Sequence, residues 1–520
     1  MNGTHAGLSR AEFDHRIAEQ GLTLSAEEAD SVFGLAQWLN AGISALPERL
    51  PVTGEGGANP ADLSILEAGN RLREGSLTSV ALTRAVLDRI AERDPAYHAI
   101  YRVLTERALA DARRADEELA SGLDRSPLHG IPVGLKDMID VAGVPTTAGS
   151  RSRQHNVPSA NATVVDRLVE AGAVIVAKLA TYEWGTVGPA YDTLFPPARN
   201  PWSLEHITGG SSSGCAVAVA GGLLRTTIGT DTGGSVRGPA SYCGIVGLKP
   251  TLGLVPTDGT LGMSPSMDHV GPMAASSAEA ALTLDIISGR VDDRVATRHL
   301  GQPITGLRIG YARSWFAGDA QAHPAVVEAI DAAASTLSEL GAHVEEVDLP
   351  DYSAIEVAAA AVLHYEGFKG HAAELAAHPE GFGRKTFQSI VAGAALTDAE
   401  YAEALRAGAA FRGRLDRDVF SRFDAVLTVG TLTPALPVAL FGKGSVWTPM
   451  RTIPFNISGH PVLALPAGFH EGLPLGMQLI GPHYGEARIC QIGDAFEAAT
   501  DHSTQRPPYP GAAGQGTAST

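Results

Sequence analysis

Cysteine is scarce in this chain, and its few cysteines show neither the spacing of metal ligands nor that of a disulfide framework. The three residues, Cys215, Cys243 and Cys490, are scattered over 520 positions. Disulfide-dependent secreted proteins use cysteine far more densely, and zinc sites place cysteines in short pairs. The sequence therefore excludes a disulfide scaffold and predicts no metal site. A cytoplasmic protein is the expectation.

Long apolar runs and clusters of basic residues are missing as well. No run approaches the length that crosses a bilayer, and the first residues lack the apolar core of a secretory signal. Lys and Arg together number 39 against 57 Asp and Glu, which gives a formal net charge of −18. Because a field of this sign repels phosphate backbones and anionic lipid surfaces, we expect neither nucleic acid nor a membrane as a partner.

Lysine is rare too, since only six of the 39 basic residues are lysine. A guanidinium keeps its proton in proteins, whereas an ammonium loses it when it is desolvated. Lys136 lies in HGIPVGLKDMIDVAGVP, surrounded by apolar side chains. Burial there would lower its pKa and make it a candidate base. The alternative is a structural ion pair of Lys136 with Asp137 or Asp140.

The chain divides into three regions by composition. Residues 1–60 combine helical spacing, including a Ser25–Glu28 capping box, with a linker rich in Pro and Gly. Residues 61–500 alternate helical and strand patterns, which predicts one large α/β domain. Residues 501–520 are a polar tail that we expect to be disordered.

Within the central region, short apolar strands alternate with helices. The first convincing strand is near 131–135, and AVIVA after Gly172 follows a helix from Ala162. GLRIGYA near Gly306 and FDAVLTVG near Phe423 repeat the strand pattern, and the Ala-rich interval 352–414 is mostly helical. This rhythm predicts an α/β fold, with helices on both faces of a sheet.

Two Gly-Gly-Ser steps stand close together, in TGGSSSGCAVAVA from Thr208 and in GTDTGGSVRGPA from Gly229. Glycines at such steps indicate a backbone that must come close to a ligand or to another segment of the protein. The first formally matches a nucleophile elbow centred on Ser212, but polar NPWSLEHIT precedes it instead of a buried strand. Phosphate-loop motifs are absent, and no serine stands three positions before any lysine, which disfavours a β-lactamase-type Ser-x-x-Lys site.

Taken together, Lys136, Ser211 and Ser235 resemble the Ser-cisSer-Lys triad of the amidase signature family. The segments LHGIPVGLKDMIDVAGVPTTAGS, RNPWSLEHITGGSSSG, GTDTGGSVRGPASYCGIVGLKPT and SMDHVGPM occur in the family's order. GHPVLALPAGFHEGLPLGMQLIG resembles its closing segment, so the resemblance spans residues 63–499. It implies an α/β/α sandwich whose large central sheet is mixed, mostly parallel and flanked by helices, with a short N-terminal helical segment outside it.

The resemblance also implies a role for each triad residue. Ser235 would be the nucleophile, Lys136 the uncharged base, and Ser211 the proton relay that follows a cis peptide bond after Gly210. A serine hydroxyl needs such activation because it is a weak nucleophile. The backbone N–H groups expected to form an oxyanion hole are those of Thr232, Gly233, Gly234 and Ser235.

Supporting polar positions are implied at Ser212, Asp231 and Arg237. A buried pair of Asp231 with Arg237 would stiffen the nucleophile loop. The alternative is that these three side chains only satisfy buried backbone groups. His269, in SMDHVGPM, is interpreted as structural and not as a catalytic base.

The sequence departs from the family pattern after the AVIVA strand. KLATYEWG keeps Lys178 and Glu183 but lacks the Thr-Asn pair of many members, which argues against a glutamine-hydrolysing amidotransferase component. Nearby aromatic residues would line an apolar substrate pocket or, alternatively, belong to the core. They are Tyr182, Trp184, Tyr191 and Phe195.

The resulting prediction is an amidohydrolase that cleaves a C–N bond through an acyl-Ser235 intermediate and needs no cofactor. Its expected partner is a small-molecule amide, anilide or carbamate, and the resemblance implies a homodimer. Two alternatives stay open at this point. One is the amidase subunit of a glutamine-dependent tRNA amidotransferase, and the other is an inactive binding or scaffold homologue.

Overall fold

The structure is a computed structural model that describes residues 9–11, 14–15, 33, 59–290, 292, 294–442 and 448–509. The predicted Ser25–Glu28 capping box lies outside the described residues, as does most of the helical lead-in. Within that lead-in, Arg10 Nε donates to Asp14 Oδ1 at 3.0 Å, one helical turn away. The described residues from Asn59 onward belong to a single compact unit. The predicted domain boundaries stay a prediction.

Eleven strands of the described chain form one sheet. They are β1 Ile100–Val103, β2 Pro132–Lys136, β3 Val174–Leu179, β4 Thr226–Asp231, β5 Val246–Lys249, β6 His269–Ala274, β7 Arg308–Tyr311, β8 His343–Glu346, β9 Ala425–Val429, β10 Val462–His470 and β11 Leu473–Ile480. Their order across the sheet is β1-β3-β2-β4-β6-β5-β10-β11-β9-β7-β8. Four predicted strands are thereby confirmed, as β2, β3, β7 and β9.

The sheet is mixed, as expected, but the prediction that it is mostly parallel is wrong. Among the described strands, β2 pairs in parallel with β3 and β4, and β7 pairs in parallel with β8 and β9. The other six pairs are antiparallel. A buried apolar strand has the same sequence pattern in both pairings, which is why the direction could not be predicted from it.

Helices cover the sheet in the described residues. They are α1 Ile65–Arg73, α2 Ser79–Tyr97, α3 Thr105–Ala120, α4 Thr163–Glu170, α5 Ser213–Ala220, α6 Arg237–Cys243, α7 Ser277–Ser288, α8 Pro324–Glu339, α9 Tyr352–Ala377, α10 Arg384–Val391, α11 Asp398–Arg414, α12 Pro454–Ile457 and α13 Glu486–Ala499. The Ala-rich interval is helical as predicted, as α9, α10 and α11. Among the described residues, no helix is long and apolar enough to cross a membrane.

Successive residues of β3 pack into different cores, because side chains alternate across a strand. Ile175 belongs to a buried cluster with α4, α7 and α13. Val174 and Val176 belong to a second buried cluster with α3, α5 and α6. Helices therefore lie on both faces of the sheet, which confirms the α/β/α sandwich.

The start of the C-terminal tail differs from the expected disorder. Residues 501–509 include a short 3₁₀ helix, His502–Thr504. The Tyr509 hydroxyl donates to the Glu92 carbonyl at 3.0 Å, and its ring packs edge-on against Tyr97. This part of the tail is held by the body of the protein, and residues 510–520 lie outside the described residues.

Candidate active site

The carboxyl ends of two parallel strands bring the first functional groups together. Lys136 is the last residue of β2, and Asp231 is the last residue of the neighbouring β4. Helix α5 begins directly after Ser212, and α6 begins directly after Val236. Because parallel strands end at the same edge of a sheet, both serine-rich turns lie beside the lysine.

The Lys136 amine is fully buried and bonded only to hydroxyl groups. Its Nζ donates to Thr230 Oγ1 at 2.7 Å and lies within hydrogen-bond distance of Ser211 Oγ, also at 2.7 Å. Among the described residues, no carboxylate forms an ion pair with it. The alternative pairing with Asp137 is not observed, because Asp137 Oδ1 lies 3.1 Å from Lys178 Nζ instead.

Burial lowers the pKa of Lys136 from 10.5 to about 7. Cys215, Asp231 and Asp268 act in the opposite direction through their charges, but desolvation is the larger effect. A substantial share of the amine is therefore uncharged near neutral pH, and the uncharged amine is the form that can accept a proton.

Ser211 is preceded by a cis peptide bond to Gly210, at the position that the family resemblance implies. Its carbonyl accepts hydrogen bonds from Tyr182 N and Ser213 N, at 3.0 and 2.8 Å. A Cβ at position 210 would lie 2.2 Å from the Tyr182 ring, so only glycine fits there. The serine backbone is held firmly where its hydroxyl meets Lys136.

The second serine segment runs beside the first. Ser212 N donates to the Ser235 carbonyl at 3.3 Å. The Ser212 hydroxyl is buried and donates to the Thr230 carbonyl at 3.0 Å, so it is a structural group and not an exposed nucleophile. The Ser235 hydroxyl, in contrast, makes no hydrogen bond to any described residue, and Ser235 lines the cavity described below.

Gly234 does not fit its predicted role in the oxyanion hole. Its N–H donates to Asp231 Oδ1 at 2.8 Å and is occupied. The glycine is still required, because its φ is +130° and a Cβ would lie 2.1 Å from Thr452 Oγ1. In the described chain, the N–H groups of Thr232, Gly233 and Ser235 have no protein acceptor, and all three residues line the cavity.

Asp231 and Arg237 form a buried charge pair with two parallel hydrogen bonds. Arg237 Nε and Nη2 donate to the two Asp231 oxygens, each at 2.9 Å. Asn456 Nδ2 donates to Asp231 Oδ1 at 2.7 Å, and Val236 N donates to Oδ2 at 3.1 Å. Burial alone would raise the pKa of Asp231, but the Arg237 charge and these hydrogen bonds hold it well below its usual range. The pair therefore both satisfies backbone N–H groups and fixes the loop that carries Ser235.

A cavity opens over Ser235 and extends toward α9. The space between its walls and its open mouth is about 730 Å³. Its walls include the side chains of Val187, Met263, Leu363 and Met450. Among the described lining residues, none is Asp, Glu, Lys or Arg.

Of the four aromatic residues predicted to form the pocket, the structure brings only Tyr182 to this cavity. Trp184 is buried and packs against His371 and Phe382 in the core, so the core alternative is correct for it. The Phe195 ring stacks on Tyr101 at 4.0 Å between ring centroids. Tyr191 is 63% exposed and lines a neighbouring surface cavity that it shares with Tyr182.

Sequence reasoning missed several residues of the site. Thr230 and Asp268 stand inside the quoted segments GTDTGGSVRGPA and SMDHVGPM, but the sequence assigned neither of them a role. Asp268 Oδ1 accepts from the Thr232 hydroxyl at 2.6 Å and thereby orients the loop. Leu363 and His364 lie on α9, in the Ala-rich interval that the sequence predicted to be mostly helical without assigning it site residues. His364 Nδ1 lies 2.9 Å from the Ser389 carbonyl, to which it donates.

His269 is buried against Lys249 and the Met267 carbonyl, as its structural interpretation predicted.

Comparisons with known proteins agree on one family. The sequence profile of the family described as Amidase matches residues 81–490. A glutamyl-tRNA(Gln) amidotransferase component from Chloroflexus aggregans is 37% identical over 479 residues, which cover 86% of this chain and 98% of that relative. Its counterpart from Geobacter metallireducens is 38% identical over 484 residues, covering 86% and 99%. The X-ray structure of native peptide amidase from Stenotrophomonas maltophilia is 32% identical, has a TM-score of 0.71, and covers 86% of this chain and 98% of that one.

The fold and these relatives define a hydrolytic enzyme that cleaves amide C–N bonds. The chain belongs to the amidase signature family. Its membership leaves the inactive-homologue alternative without support. The two amidotransferase relatives are of the class that the KLATYEWG departure argued against, so this departure alone does not separate the chain from them.

Proposed function

We propose that this enzyme hydrolyses small, uncharged amides through an acyl-Ser235 intermediate, with Lys136 as the base and Ser211 as the relay. The observation that carries the proposal is the buried amine of Lys136, 2.7 Å from the Ser211 hydroxyl and without a carboxylate partner in the described chain. An uncharged lysine in this position accepts a proton without any histidine.

In the acylation step, Ser235 Oγ attacks the carbonyl carbon of the substrate. The Ser235 proton passes to Ser211 Oγ while the Ser211 proton passes to the lone pair of Lys136 Nζ. The carbonyl electron pair moves to oxygen, where the N–H groups of Thr232, Gly233 and Ser235 stabilise the negative charge. Each such donor is worth about 3 kcal/mol in the transition state.

Collapse of this tetrahedral intermediate breaks the C–N bond. The proton held by Lys136 returns through Ser211 to the leaving nitrogen, which departs as an amine or ammonia. Water then attacks the acyl ester through the same relay and releases the carboxylic acid. Lys136 is uncharged again at the end of the cycle, so no cofactor takes part in the proposed reaction.

The cavity favours an apolar amide, anilide or carbamate over free glutamine. Glutamine carries an α-ammonium and an α-carboxylate, and burial of both would require charged partners. The described walls offer no such partner, whereas Met263, Leu363 and Met450 offer apolar contacts. Cytoplasmic location and a homodimer stay predictions from the sequence.

A second candidate is a component of an amidotransferase, which the names of the two relatives above favour. A turnover panel separates the two functions: an aliphatic amide, an anilide, a carbamate, an ester and glutamine, each assayed with the purified chain alone. We expect turnover of the uncharged amides and little of glutamine. Hydrolysis confined to glutamine, or dependent on a copurifying partner, would support the second candidate and reject the first.

A further inference from the structure

Three side chains from separate segments meet away from the cavity over Ser235. Asp416 lies in the π-helical turn Leu415–Val419 that follows α11, His460 precedes β10, and His483 follows β11. One ligand atom of each of these three residues lies within 4.8 Å of those of the others. We call Asp416, His460 and His483 the histidine cluster. None of the three lines the catalytic cavity.

One tautomer of His460 has the orientation that a metal-binding imidazole usually has. Its Nδ1 lies 3.1 Å from Ser458 Oγ, and its Nε2 lies 3.1 Å from Asp416 Oδ1. Metal-binding histidines commonly donate the N–H of one ring nitrogen to an oxygen, which turns the lone pair of the other toward the ion. When Nδ1–H donates to Ser458, the Nε2 lone pair faces a carboxylate oxygen, and a cation between them removes the repulsion.

His483 supplies an unsatisfied donor or acceptor at the same place. Its ring centroid lies 4.2 Å from that of His460. Its Nε2 is enclosed and has no hydrogen-bond partner among the described residues. Enclosed polar atoms without a partner are rare, and a missing ion is one of their explanations.

We propose that the histidine cluster binds one divalent transition-metal ion of the zinc type. Two imidazoles and one carboxylate are a common ligand set for such ions and leave a position for water. Asp416 is 44% exposed, whereas the His460 side chain is fully buried, so the ion has access from one side only. Arg412, which donates to the Ser458 carbonyl at 2.7 Å, adds positive charge nearby. That charge opposes any cation equally, whereas the single carboxylate disfavours Ca²⁺ and Mg²⁺ in particular, because they require more oxygen ligands.

The ion would join the end of α11 to the two central strands β10 and β11. The ligand His460 ends the segment 454–460. This segment also carries Asn456, which is a hydrogen-bond partner of Asp231. None of the three ligands of the ion lines the cavity over Ser235 or takes part in the proposed mechanism. Its expected effect is therefore on stability and not on the chemical step.

The test uses the full chain without a histidine tag, stripped with a chelator and titrated with Zn²⁺ or Co²⁺. We expect one equivalent to bind, with a rise in Tm that saturates at that equivalent and a visible Co²⁺ spectrum of nitrogen and oxygen ligation. The variants His483→Gln and Asp416→Asn should lower the affinity at least about tenfold. The control is His378→Gln, an exposed histidine beside Glu380, which should bind like the wild type.

Circular dichroism of each variant, recorded before titration, separates loss of the ligand from loss of the fold. If folded His483→Gln and Asp416→Asn proteins bind Co²⁺ as tightly as the wild type, the proposed site is wrong. Absence of any bound equivalent in the wild type would overturn it too, and would reduce the cluster to a hydrogen-bonded Asp–His pair. Turnover in the presence of the chelator is measured separately, because the proposed amide hydrolysis requires no metal.

Discussion

Lys136 is a basic side chain that the fold has removed from water without giving it a carboxylate. Its only described polar partners are the hydroxyl groups of Ser211 and Thr230. An ammonium in such surroundings is costly, so the site favours the uncharged amine. The same burial that makes Lys136 a usable base must therefore lower the stability of the folded protein.

The first prediction concerns the nucleophile. Ser235→Ala should lower amide hydrolysis at least about 10⁴-fold, because the variant lacks the hydroxyl that forms the acyl ester in the proposed mechanism. Its Tm should stay close to that of the wild type, since the Ser235 hydroxyl holds no structural hydrogen bond in the described chain. The matched control is Ser335→Ala on the exposed face of α8, which should leave turnover unchanged. Turnover of a chromogenic anilide measures both variants, and substantial residual activity in Ser235→Ala would refute its assignment.

The second prediction concerns the cost of Lys136. Its pKa is about 7 when folded and 10.5 when unfolded, so the unfolded state binds more protons between these values and the free energy of unfolding rises with pH there. Lys136→Met removes this dependence. The stability of the variant relative to the wild type should therefore fall from pH 7 to pH 9 by on the order of 2 kcal/mol.

Urea unfolding at both pH values measures the difference. The control is Lys369→Met, which removes an exposed lysine and should show the same relative stability at pH 7 and pH 9. A pH-independent difference for Lys136→Met would mean that the amine is not buried as the structure has it.

Residues carried by contiguous motifs could be predicted, and residues brought in by tertiary contacts could not. Lys136, Ser211 and Ser235 stand in motifs that the family resemblance identified. Thr230 also stands in such a motif, but its role was missed because its hydrogen bond to Lys136 is a contact between two strands that only the fold brings together. The role of Gly234 was misjudged for another reason: its N–H is occupied by Asp231, three residues earlier, and only the folded loop shows this.

At the scale of elements, the nucleophile loop depends on a buried network that spans distant segments. Arg237 at the start of α6 binds Asp231 at the end of β4, and Asn456 in α12 completes the contact. The loop between β4 and α6 carries the proposed nucleophile and the proposed oxyanion donors. Rigidity of this loop is what keeps those donors aimed at one point.

The third prediction breaks this network. Asp231→Asn should destabilise the fold by about 3–5 kcal/mol, because it leaves the Arg237 guanidinium buried without a counter-charge. Differential scanning calorimetry measures the fall in Tm, and Glu403→Gln, which breaks an exposed pair with Arg406, serves as the control with no change. An Asp231→Asn protein as stable as the wild type would contradict the role given to the pair.

Elements were predictable in type but not in arrangement. The alternation of helix and strand patterns located β2, β3, β7 and β9, because each is a buried apolar run between turn signals. It could not indicate that antiparallel pairs outnumber parallel ones. Nor could it indicate that α9 contributes Leu363 and His364 to the cavity. A helical pattern shows which face of the helix is apolar, but not which distant segments that face contacts.

At the scale of the whole molecule, the net charge of −18 sets what can approach the protein. This charge repels polyanions at long range, whereas it exerts no net electrostatic force on an uncharged amide. The described walls of the cavity match this picture, because they offer apolar surface and no ionised side chain.

The fourth prediction follows from this charge. The chain alone should show no saturable binding of tRNA at 0.15 M salt, because nucleic-acid affinity comes largely from basic groups that neutralise phosphates. Fluorescence anisotropy of labelled tRNA measures this, with a basic tRNA-binding protein as the positive control. Saturable micromolar binding would contradict the prediction and strengthen the amidotransferase candidate.

The central claim is that the uncharged amine of Lys136 activates Ser235 through Ser211. The most direct measurement is the rate at which a fluorophosphonate modifies the protein as a function of pH, with the adduct located by peptide mass spectrometry, in the wild type and in Lys136→Met. We predict an adduct on Ser235 and a wild-type rate that rises with pH around a pKa of about 7, as Lys136 loses its proton. The variant should be slower by roughly 10²–10⁴-fold. An adduct on another residue, or equal rates in both proteins at every pH, would contradict the account.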